Sequence, residues 1–212
     1  MLVGERMSKP IITVSQDMPI NDAINLMKKE RIRRAPVVKD GKLVGIVSDK
    51  DLLNASPSPV TTLSIWEMNY MLSKITVSEV MTKNVMTVDE DTPIEQAARI
   101  MADNKIGGLP VMRDGNVIGI ITETDLFKLF IEMLGARELG VRVTVLIDEK
   151  PGMLAKLTKV IAEAGGDFMA FGMFSGENPT NRIVTFKVRN MDKDGVKKAI
   201  DPVVKEIIDM RA

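Results

Sequence analysis

The chain has 212 residues, of which 45% are hydrophobic and 27% are charged, a balance typical of folded proteins and not of disordered ones. Its 29 basic and 29 acidic side chains leave no net charge to attract the chain to nucleic acid or to a membrane, and we expect neither as a partner. Cysteine and histidine are absent, which excludes disulfides, thiol nucleophiles, Cys/His zinc sites and imidazole acid–base catalysis.

The remaining reactive side chains do not indicate an enzyme. Lysine, tyrosine and carboxylates are present, but they are not grouped around a nucleophile, so we expect no catalytic residue and no metal site. The acidic run 89–91 precedes a predicted helix start, where acidic side chains are expected because they stabilise the helix dipole. Apolar runs such as 117–121 are too short to cross a bilayer, and residues 1–7 leave no room for a signal peptide. We therefore expect a cytoplasmic protein.

One eight-residue stretch occurs twice in the chain. Residues 45–52, Gly-Ile-Val-Ser-Asp-Lys-Asp-Leu, are followed 74 positions later by Gly-Ile-Ile-Thr-Glu-Thr-Asp-Leu at 119–126. Aligned without a gap, residues 7–53 and 81–127 are identical at 18 of 47 positions. The chain therefore contains a duplicated unit, and because one copy alone buries little apolar surface, we expect the two copies to pack as one domain.

Each copy begins with a strand and a helix. Residues 11–14 and 85–88 read as short strands, and apolar residues then recur at helical spacing. In the second copy, Thr92 suits the N-cap, Pro93 the first helical position and Glu95 the end of a capping box. This pattern predicts a helix that begins at Pro93.

Two further strands and a helix complete each copy. Asp-Gly pairs at 40–41 and 114–115 favour tight hairpin turns, and a second helix opens after Ser48 or Thr122. The unit is therefore β-α-β-β-α, with the first copy at about 1–56 and the second at about 77–135.

The segment between the copies, about 57–76, is predicted to be a connector. Loop residues at 54–59 lead into a predicted helix over 63–72, which contains Trp66 and Tyr70. We expect this helix to pack over the repeats as part of the core, and an aromatic ligand site is the alternative.

A different pattern begins after Gly140 and indicates a second domain over 140–212. It contains a strand at 141–147, a helix that opens at 151–154, two strands, a short helix and a last strand near 204–209. The order β-α-β-β-α-β is that of ferredoxin-like folds.

The repeated Ser/Thr-x-x-Asp pattern has two interpretations. Ser48 with Asp51, and Thr122 with Asp125, can be capping pairs that satisfy free N–H groups at a helix start. The same groups can instead bind a nucleotide, because a hydroxyl donates to phosphate and a carboxylate accepts from both ribose hydroxyls. Aspartate at both third helical positions, where glutamate reaches back better, favours a ligand site.

Several motifs in this order resemble a known family. Met-Thr-x-x-Val-x-Thr-Val, Thr-Pro-Ile-x-x-Ala, a Pro-Val strand and Gly-x-x-Ser/Thr-x-x-Asp-Leu together resemble the CBS motif, and two in tandem resemble a Bateman module over 1–135. The segment Asp-Glu-Lys-Pro-Gly-Met-Leu at 148–154 is similar to an ACT domain. The combination, with its connector, resembles the acetoin utilisation protein B family. It implies an α+β fold in which two tandem CBS repeats precede a ferredoxin-like ACT domain.

The resemblance implies that an adenosyl effector (AMP, ADP, ATP, S-adenosylmethionine or NAD) binds between the two CBS motifs, with no required cofactor. Asp51 and Asp125 would hold the ribose, and Ser48 and Thr122 would contact ribose or phosphate. The adenine would be framed by the backbone near Thr13, Val14, Ala35, Pro36, Thr87, Val88, Leu109 and Pro110.

The two clefts are expected to differ. Arg33 and Arg34 of the first copy stand where the second copy has Gly107 and Gly108. A guanidinium pair suits a phosphate, whereas glycines leave room and let the backbone approach a ligand. The alternative is that the arginines lie at a helix end, where cations stabilise the C-terminal dipole.

For the second domain, the resemblance implies a small effector, often an amino acid, near Gly152, Met153, Leu154 and Asp167. Asp167 stands where such domains commonly have asparagine, and a fold retained for dimerisation is the alternative.

Three functions follow from these patterns. The first is a regulatory module, a homodimer in both families, that binds a nucleotide and signals to a protein partner of unknown identity. The second is an amino-acid sensor that acts through the ACT domain, with the CBS pair as its scaffold. The third, an enzyme that uses carboxylates, is disfavoured by the absence of a catalytic grouping.

Overall fold

The computed structural model describes residues 1–55, 64, 66–67, 70 and 73–212. They form two compact units, Met1–Leu126 and Phe127–Ala212. The limits expected from the sequence, 1–135 and 140–212, stay predictions. Most of the predicted connector helix at 63–72 lies outside the described residues. Trp66 and Tyr70 are described and are exposed, so the expectation that these two rings pack as core is wrong.

The first unit shows the predicted order in both copies, each preceded by one more helical turn. The first copy contains α1 (Val3–Arg6), β1 (Val14–Ser15), α2 (Ile20–Lys29), β2 (Arg34–Lys39), β3 (Lys42–Ser48) and α3 (Asp49–Asn54). The second contains α4 (Val77–Val80), β4 (Val88–Asp89), α5 (Ile94–Asn104), β5 (Gly108–Arg113), β6 (Asn116–Thr122) and the start of α6 (Glu123–Met133), a helix whose residues from Phe127 onward belong to the second unit.

Each copy forms a three-stranded sheet, in the orders β1-β2-β3 and β4-β5-β6. The outer pairs β1/β2 and β4/β5 are parallel, and the hairpins β2/β3 and β5/β6 are antiparallel. Asp40 and Gly41 have φ values of 49° and 77°, and Asp114 and Gly115 have 50° and 77°. Two consecutive positive φ angles define the tight turn that the Asp-Gly pairs predict, so the predicted hairpins are confirmed.

Two local predictions are wrong in detail. The first strands contain only two residues each, because pairing with β2 or β5 involves only Val14–Ser15 and Val88–Asp89. The helix of the second copy begins at Ile94 with Pro93 as N-cap, and no side chain caps it. Thr92 Oγ1 instead accepts the N–H of Asp89 at 3.1 Å, so this hydroxyl closes the preceding turn and not the helix.

The segment that begins each copy packs on the other copy. The N–H of Val77, in α4, donates to the carbonyl of Met18 at 2.9 Å, and the Val77 side chain is fully buried in the core of the first copy. In the mirror arrangement, the N–H of Val3 donates to the carbonyl of Thr92 at 2.9 Å, and Val3 is fully buried. Each repeat therefore completes the core of the other.

This exchange requires a close approach at Gly45. Ile46 and Thr82 exchange two backbone hydrogen bonds of 2.9 Å. A Cβ atom at Gly45 would overlap the Met81 sulfur and would lie 3.1 Å from the carbonyl oxygen of Thr82. Glycine is needed in this strand because a second backbone lies directly against it.

The second copy repeats the arrangement. Ser8 and Ile120 exchange backbone hydrogen bonds of 2.9 and 3.3 Å. A Cβ atom at Gly119 would overlap the Met7 sulfur and would lie 3.1 Å from the carbonyl oxygen of Ser8. The repeated glycine of the motif therefore has a packing role in both copies.

The second unit shows the predicted order β-α-β-β-α-β. After α6 it contains β7 (Val141–Asp148), α7 (Met153–Glu163), β8 (Asp167–Ser175), β9 (Asn181–Arg189), α8 (Lys193–Ile200) and β10 (Glu206–Arg211). The strands form an antiparallel sheet in the order β10-β7-β9-β8. Buried residues of β7 and β9 pack with Leu157 and Ile161 of α7 and with Val196 and Ile200 of α8. The two helices thus cover one face of the sheet.

Gly45→Ala is expected to lower the free energy of unfolding by about 1–3 kcal/mol, because the added methyl group overpacks the contact with Met81. Urea denaturation of the intact chain measures this loss. Lys42→Ala, at the exposed start of the same strand, should change stability by less than about 0.5 kcal/mol. In the double variant with Met81→Ala, the two losses should be less than additive. If the two losses of stability are additive, the methyl group added at position 45 does not contact Met81.

Asp148 provides a pH-dependent test of the second unit. Hydrogen bonds from Lys205 at 2.6 Å and Lys150 at 3.1 Å lower the pKa of its carboxyl group. A lowered folded-state pKa means that the stabilisation is present above the unfolded value of about 3.9 and is lost as the pH falls through the folded-state pKa. Wild type should therefore be more stable than Asp148→Asn at pH 7, and the difference should close under acid conditions. A difference that does not close as the pH falls would contradict the role of the two lysines.

Candidate functional site

Ser48 and Asp51 form a reciprocal cap at the junction of β3 and α3. Ser48 Oγ accepts the N–H of Asp51 at 3.2 Å, while Asp51 Oδ2 accepts the Ser48 N–H at 2.8 Å and its hydroxyl at 2.6 Å. The capping interpretation of this pair is therefore correct as a description of its contacts. The two bonds to the carboxylate use only Oδ2, so the cap does not consume the second oxygen.

Thr122 and Asp125 repeat the cap at the junction of β6 and α6. Asp125 Oδ2 accepts the Thr122 N–H at 3.0 Å and its hydroxyl at 2.7 Å. The two aspartates differ in exposure, because Asp125 is buried, with 7% exposed, whereas Asp51 is half-buried. The first copy thus presents the more accessible carboxylate.

Asp51 lies in a cleft between the two repeats, with a cavity volume of about 450 Å³. This volume lies within the range of small-molecule sites. The lining residues come from the first copy (Arg34, Ile46, Val47, Ser48 and Asp51) and from the second (Thr82, Asn84, Val85, Met86, Asn104, Lys105, Ile106, Gly107 and Gly108). Apolar side chains thus stand beside hydroxyl, amide, carboxylate and cationic groups in one cleft.

Four of the residues predicted from the sequence meet in this cleft: Arg34, Ser48, Asp51 and Gly108. None of the eight residues expected to frame adenine lines it. Buried in the unit are Val14, Ala35, Pro36, Val88, Leu109 and Pro110, while Thr13 is half-buried and Thr87 is exposed. The expectation that these residues frame a bound adenine stays a prediction.

The segment 82–86 was missed by the sequence analysis. It reaches the cleft because Thr82 pairs with Ile46, which carries the following residues past the first copy. The sequence repeat indicates that residues 7–14 and 81–88 are equivalent. It does not indicate that each of these segments packs against the other copy.

The two neighbouring arginines diverge. Arg33 Nη2 donates to Thr124 Oγ1 at 3.0 Å, at the start of α6 beside the second cap. Arg34 lies instead over the glycine pair of the second copy. A Cβ atom at Gly107 would overlap the Arg34 guanidinium, and one at Gly108 would lie 3.4 Å from Arg34 Cδ. The helix-end alternative is not supported, since Arg34 belongs to β2 and pairs directly opposite Ser48.

The second unit has a separate cavity of about 320 Å³ at its first loop and helix. Gly152, Met153 and Leu154 line it, together with Arg182 and Glu149, which form an ion pair. Asp167, the fourth residue predicted for an effector here, does not line this cavity. It is exposed at the start of β8, and Arg189 Nη2 lies 2.6 Å from its carboxylate. Asp167 lies opposite Arg189 in the sheet, so it is not grouped with the other three residues in this cavity, and its role in effector binding stays a prediction.

Two kinds of structural feature are absent from the described residues. No group of three or more acidic side chains is placed to hold a metal ion. No helix in this part of the chain has the length and apolarity needed to cross a bilayer.

Two β-α-β-β-α repeats, each completed by the other, define a tandem-repeat protein with a cleft beside the cap of the first copy. The family model "CBS domain" matches residues 3–58 and 77–132, a little over half of the chain, and the protein therefore belongs to the CBS domain family. The matched ranges include α1 and α4, the exchanged helical turns.

Solved structures of CBS proteins are similar to this chain. The CBS domain pair of protein MJ0100, in complex with 5′-methylthioadenosine and S-adenosyl-L-methionine, is 34% identical, with a TM-score of 0.52, and the match covers 65% of this chain and 98% of that one. CBSX2 in complex with AMP is 30% identical, with a TM-score of 0.53 and coverage of 62% and 97%. A Vibrio cholerae protein described as an acetoin utilization protein is 32% identical, with a TM-score of 0.53 and coverage of 65% and 96%.

Ser48→Ala is expected to lower the free energy of unfolding by about 0.5–2 kcal/mol, because the N–H of Asp51 loses its acceptor. Ser48→Thr is the matched control, since the second copy uses threonine at this position. Urea denaturation should place the threonine variant near wild type. Equal stability of the alanine and threonine variants would show that the hydroxyl does not stabilise the helix start.

Proposed function

We propose that this protein is a non-enzymatic regulatory sensor that binds an adenosyl compound in the cleft between its CBS repeats. The observation that carries the proposal is the placement of Ser48 and Asp51 in a cleft of about 450 Å³ that also has apolar walls. A carboxylate can accept from both ribose hydroxyls, and a hydroxyl can donate to ribose or phosphate. Apolar side chains can cover the adenine ring.

The comparisons support this ligand class. One similar CBS pair was solved with 5′-methylthioadenosine and S-adenosyl-L-methionine, and another protein with AMP. The compounds share adenosine and differ in the group attached to the ribose, so the likeness supports an adenosine-bearing effector without choosing among them.

We also propose that the second unit is a ferredoxin-like ACT domain. Its element order and its sheet order β10-β7-β9-β8 support this assignment. Ligand binding would favour one packing of the repeats, and a homodimer or the ACT domain would transmit the change to a protein partner. A place in the acetoin utilisation protein B family is supported by the Vibrio cholerae neighbour.

An amino-acid sensor is the second candidate. The cavity at Gly152, Met153 and Leu154 contains both acidic and basic side chains, including the Glu149–Arg182 pair. An amino acid carries a carboxylate, which suits a basic side chain, and an ammonium group, which suits an acidic one. In this version of the function, the ACT domain would bind the effector and the CBS pair would act as scaffold.

A thermal-shift series on the intact chain tests the proposal. AMP, 5′-methylthioadenosine, S-adenosylmethionine and the amino acids are each added at the same concentration. At 100 times its dissociation constant, a ligand of the native state adds about 2.7 kcal/mol of stability, which is readily visible as a shift. At least one adenosine compound should shift the melt, and it should be recovered unchanged.

Asp51→Asn and Asp125→Asn identify the cleft, each compared with its own ligand-free melt. The asparagine keeps the size of the side chain but removes the charge that favours the ribose hydroxyls. Loss of the shift in Asp51→Asn, with retention in Asp125→Asn, is the expected result. A shift caused only by amino acids would favour the second candidate, and consumption of the nucleotide would contradict a non-enzymatic role.

A further inference from the structure

We propose that Arg33 and Arg34 form a clamp that passes the occupancy of the cleft at Asp51 to helix α6. This inference rests on the proposed function, because it specifies how binding in that cleft acts on the rest of the chain. The clamp requires no contact between the arginines and the ligand. Its main chain is bonded to the first cap, and its side chains lie at the start of α6.

The main chain of the clamp is fixed to the start of α3. The carbonyl of Arg33 accepts the N–H of Asp49, the first residue of α3, at 3.0 Å. Arg34 follows in β2 and pairs directly opposite Ser48 in β3. Ser48 and Asp51 close the cap, and both line the cleft. A ligand that binds Asp51 and restrains the cap therefore also restrains the backbone of the two arginines.

The side chains of the clamp cross to the second copy and reach the first turn of α6. Arg33 Nη2 donates to Thr124 Oγ1 at 3.0 Å. The Arg34 guanidinium and Glu123 Oε2 both lie over Gly107, where an added Cβ atom would overlap the guanidinium and would lie 2.6 Å from the carboxylate oxygen. The first two residues of α6 thus each face one arginine, one through a hydroxyl acceptor and the other through an opposite charge.

Only the first copy supplies side chains for such a link. The N–H of Glu123 donates to the carbonyl of Gly107 at 3.2 Å. This bond repeats, in the second copy, the one between Asp49 and Arg33. Gly107 and Gly108, however, have no side chains that could reach α3. The duplication therefore joins the first cap to α6 and provides no matching link, through these positions, between the second cap and α3.

Helix α6 extends the effect along the chain. It ends at Met133, and its residues from Phe127 onward belong to the second unit. A restraint on its first turn should make opening of the helix less frequent, and hydrogen exchange of its backbone amides measures such opening. The clamp requires no second conformation, because a loss of motion by itself can couple two sites.

Hydrogen exchange of the intact chain, with and without saturating AMP or 5′-methylthioadenosine, tests the clamp. In wild type, a bound compound should slow exchange in α6 by about fivefold or more, the lower end of typical coupling between sites. Glu123→Gln combined with Thr124→Val removes the charge and the hydroxyl that face the arginines, and neither residue lines the cleft. This double variant should bind the compound with an affinity close to that of wild type and should lose most of the slowing. Thr124→Val alone should lose part of it, whereas the matched control Thr124→Ser, which keeps the hydroxyl, should respond as wild type does.

The outcomes separate the clamp from the proposed function. If wild type binds neither compound in isothermal titration, the adenosine-binding function fails and the clamp fails with it. If a compound binds but leaves exchange in α6 unchanged, the function stands and the clamp is overturned. The clamp is also overturned if the double variant keeps the full response, or if Thr124→Ser loses as much of it as Thr124→Val does. Loss of binding in the double variant would give these residues a role in the cleft itself and would likewise overturn the clamp.

Discussion

The close approach of two backbones at Gly45 and Gly119 is the constraint on which the first unit depends. Each glycine lets the segment that begins one copy pair with the last strand of the other, at Ile46–Thr82 and Ile120–Ser8. The exchange also buries Val3 and Val77 across the repeat boundary. Neither copy has a complete core without the other, so the duplication forms one folding unit and not two independent ones.

The same exchange creates the cleft. Residues 82–86 continue from the paired Thr82 and form one wall, while the junction of β3 and α3 forms another. Asp51 can then stabilise the helix start through Oδ2 and keep its second oxygen for another partner. Capping and ligand binding are therefore compatible roles for one side chain, because a carboxylate offers more acceptor sites than the cap uses.

The two copies differ in residues that lie against each other. Arginines in one copy and glycines in the other fit together, since Arg34 occupies the space that a side chain at position 107 would fill. Arg33 turns to Thr124 near the second cap, and Asp125 is buried where Asp51 is not. The duplicated caps thus differ in the exposure of their carboxylates and in the arginine that lies beside them.

The sequence by itself determined the duplication, the order of elements in both units, the hairpins at the Asp-Gly pairs and the capping pairs at Ser48 and Thr122. These features depend on contacts between residues close in the chain or on a fixed repeat offset, which a sequence shows directly. The structure decided that Pro93 and not Thr92 precedes α5, that Asp167 pairs with Arg189, and that Trp66 and Tyr70 are exposed. The structure also showed which residues line the cleft, including the segment 82–86. It showed that the side chains of Arg33 and Arg34 point in different directions. Those features depend on which segment crosses to which copy and on the space beside each glycine, and contacts between residues distant in the chain set both.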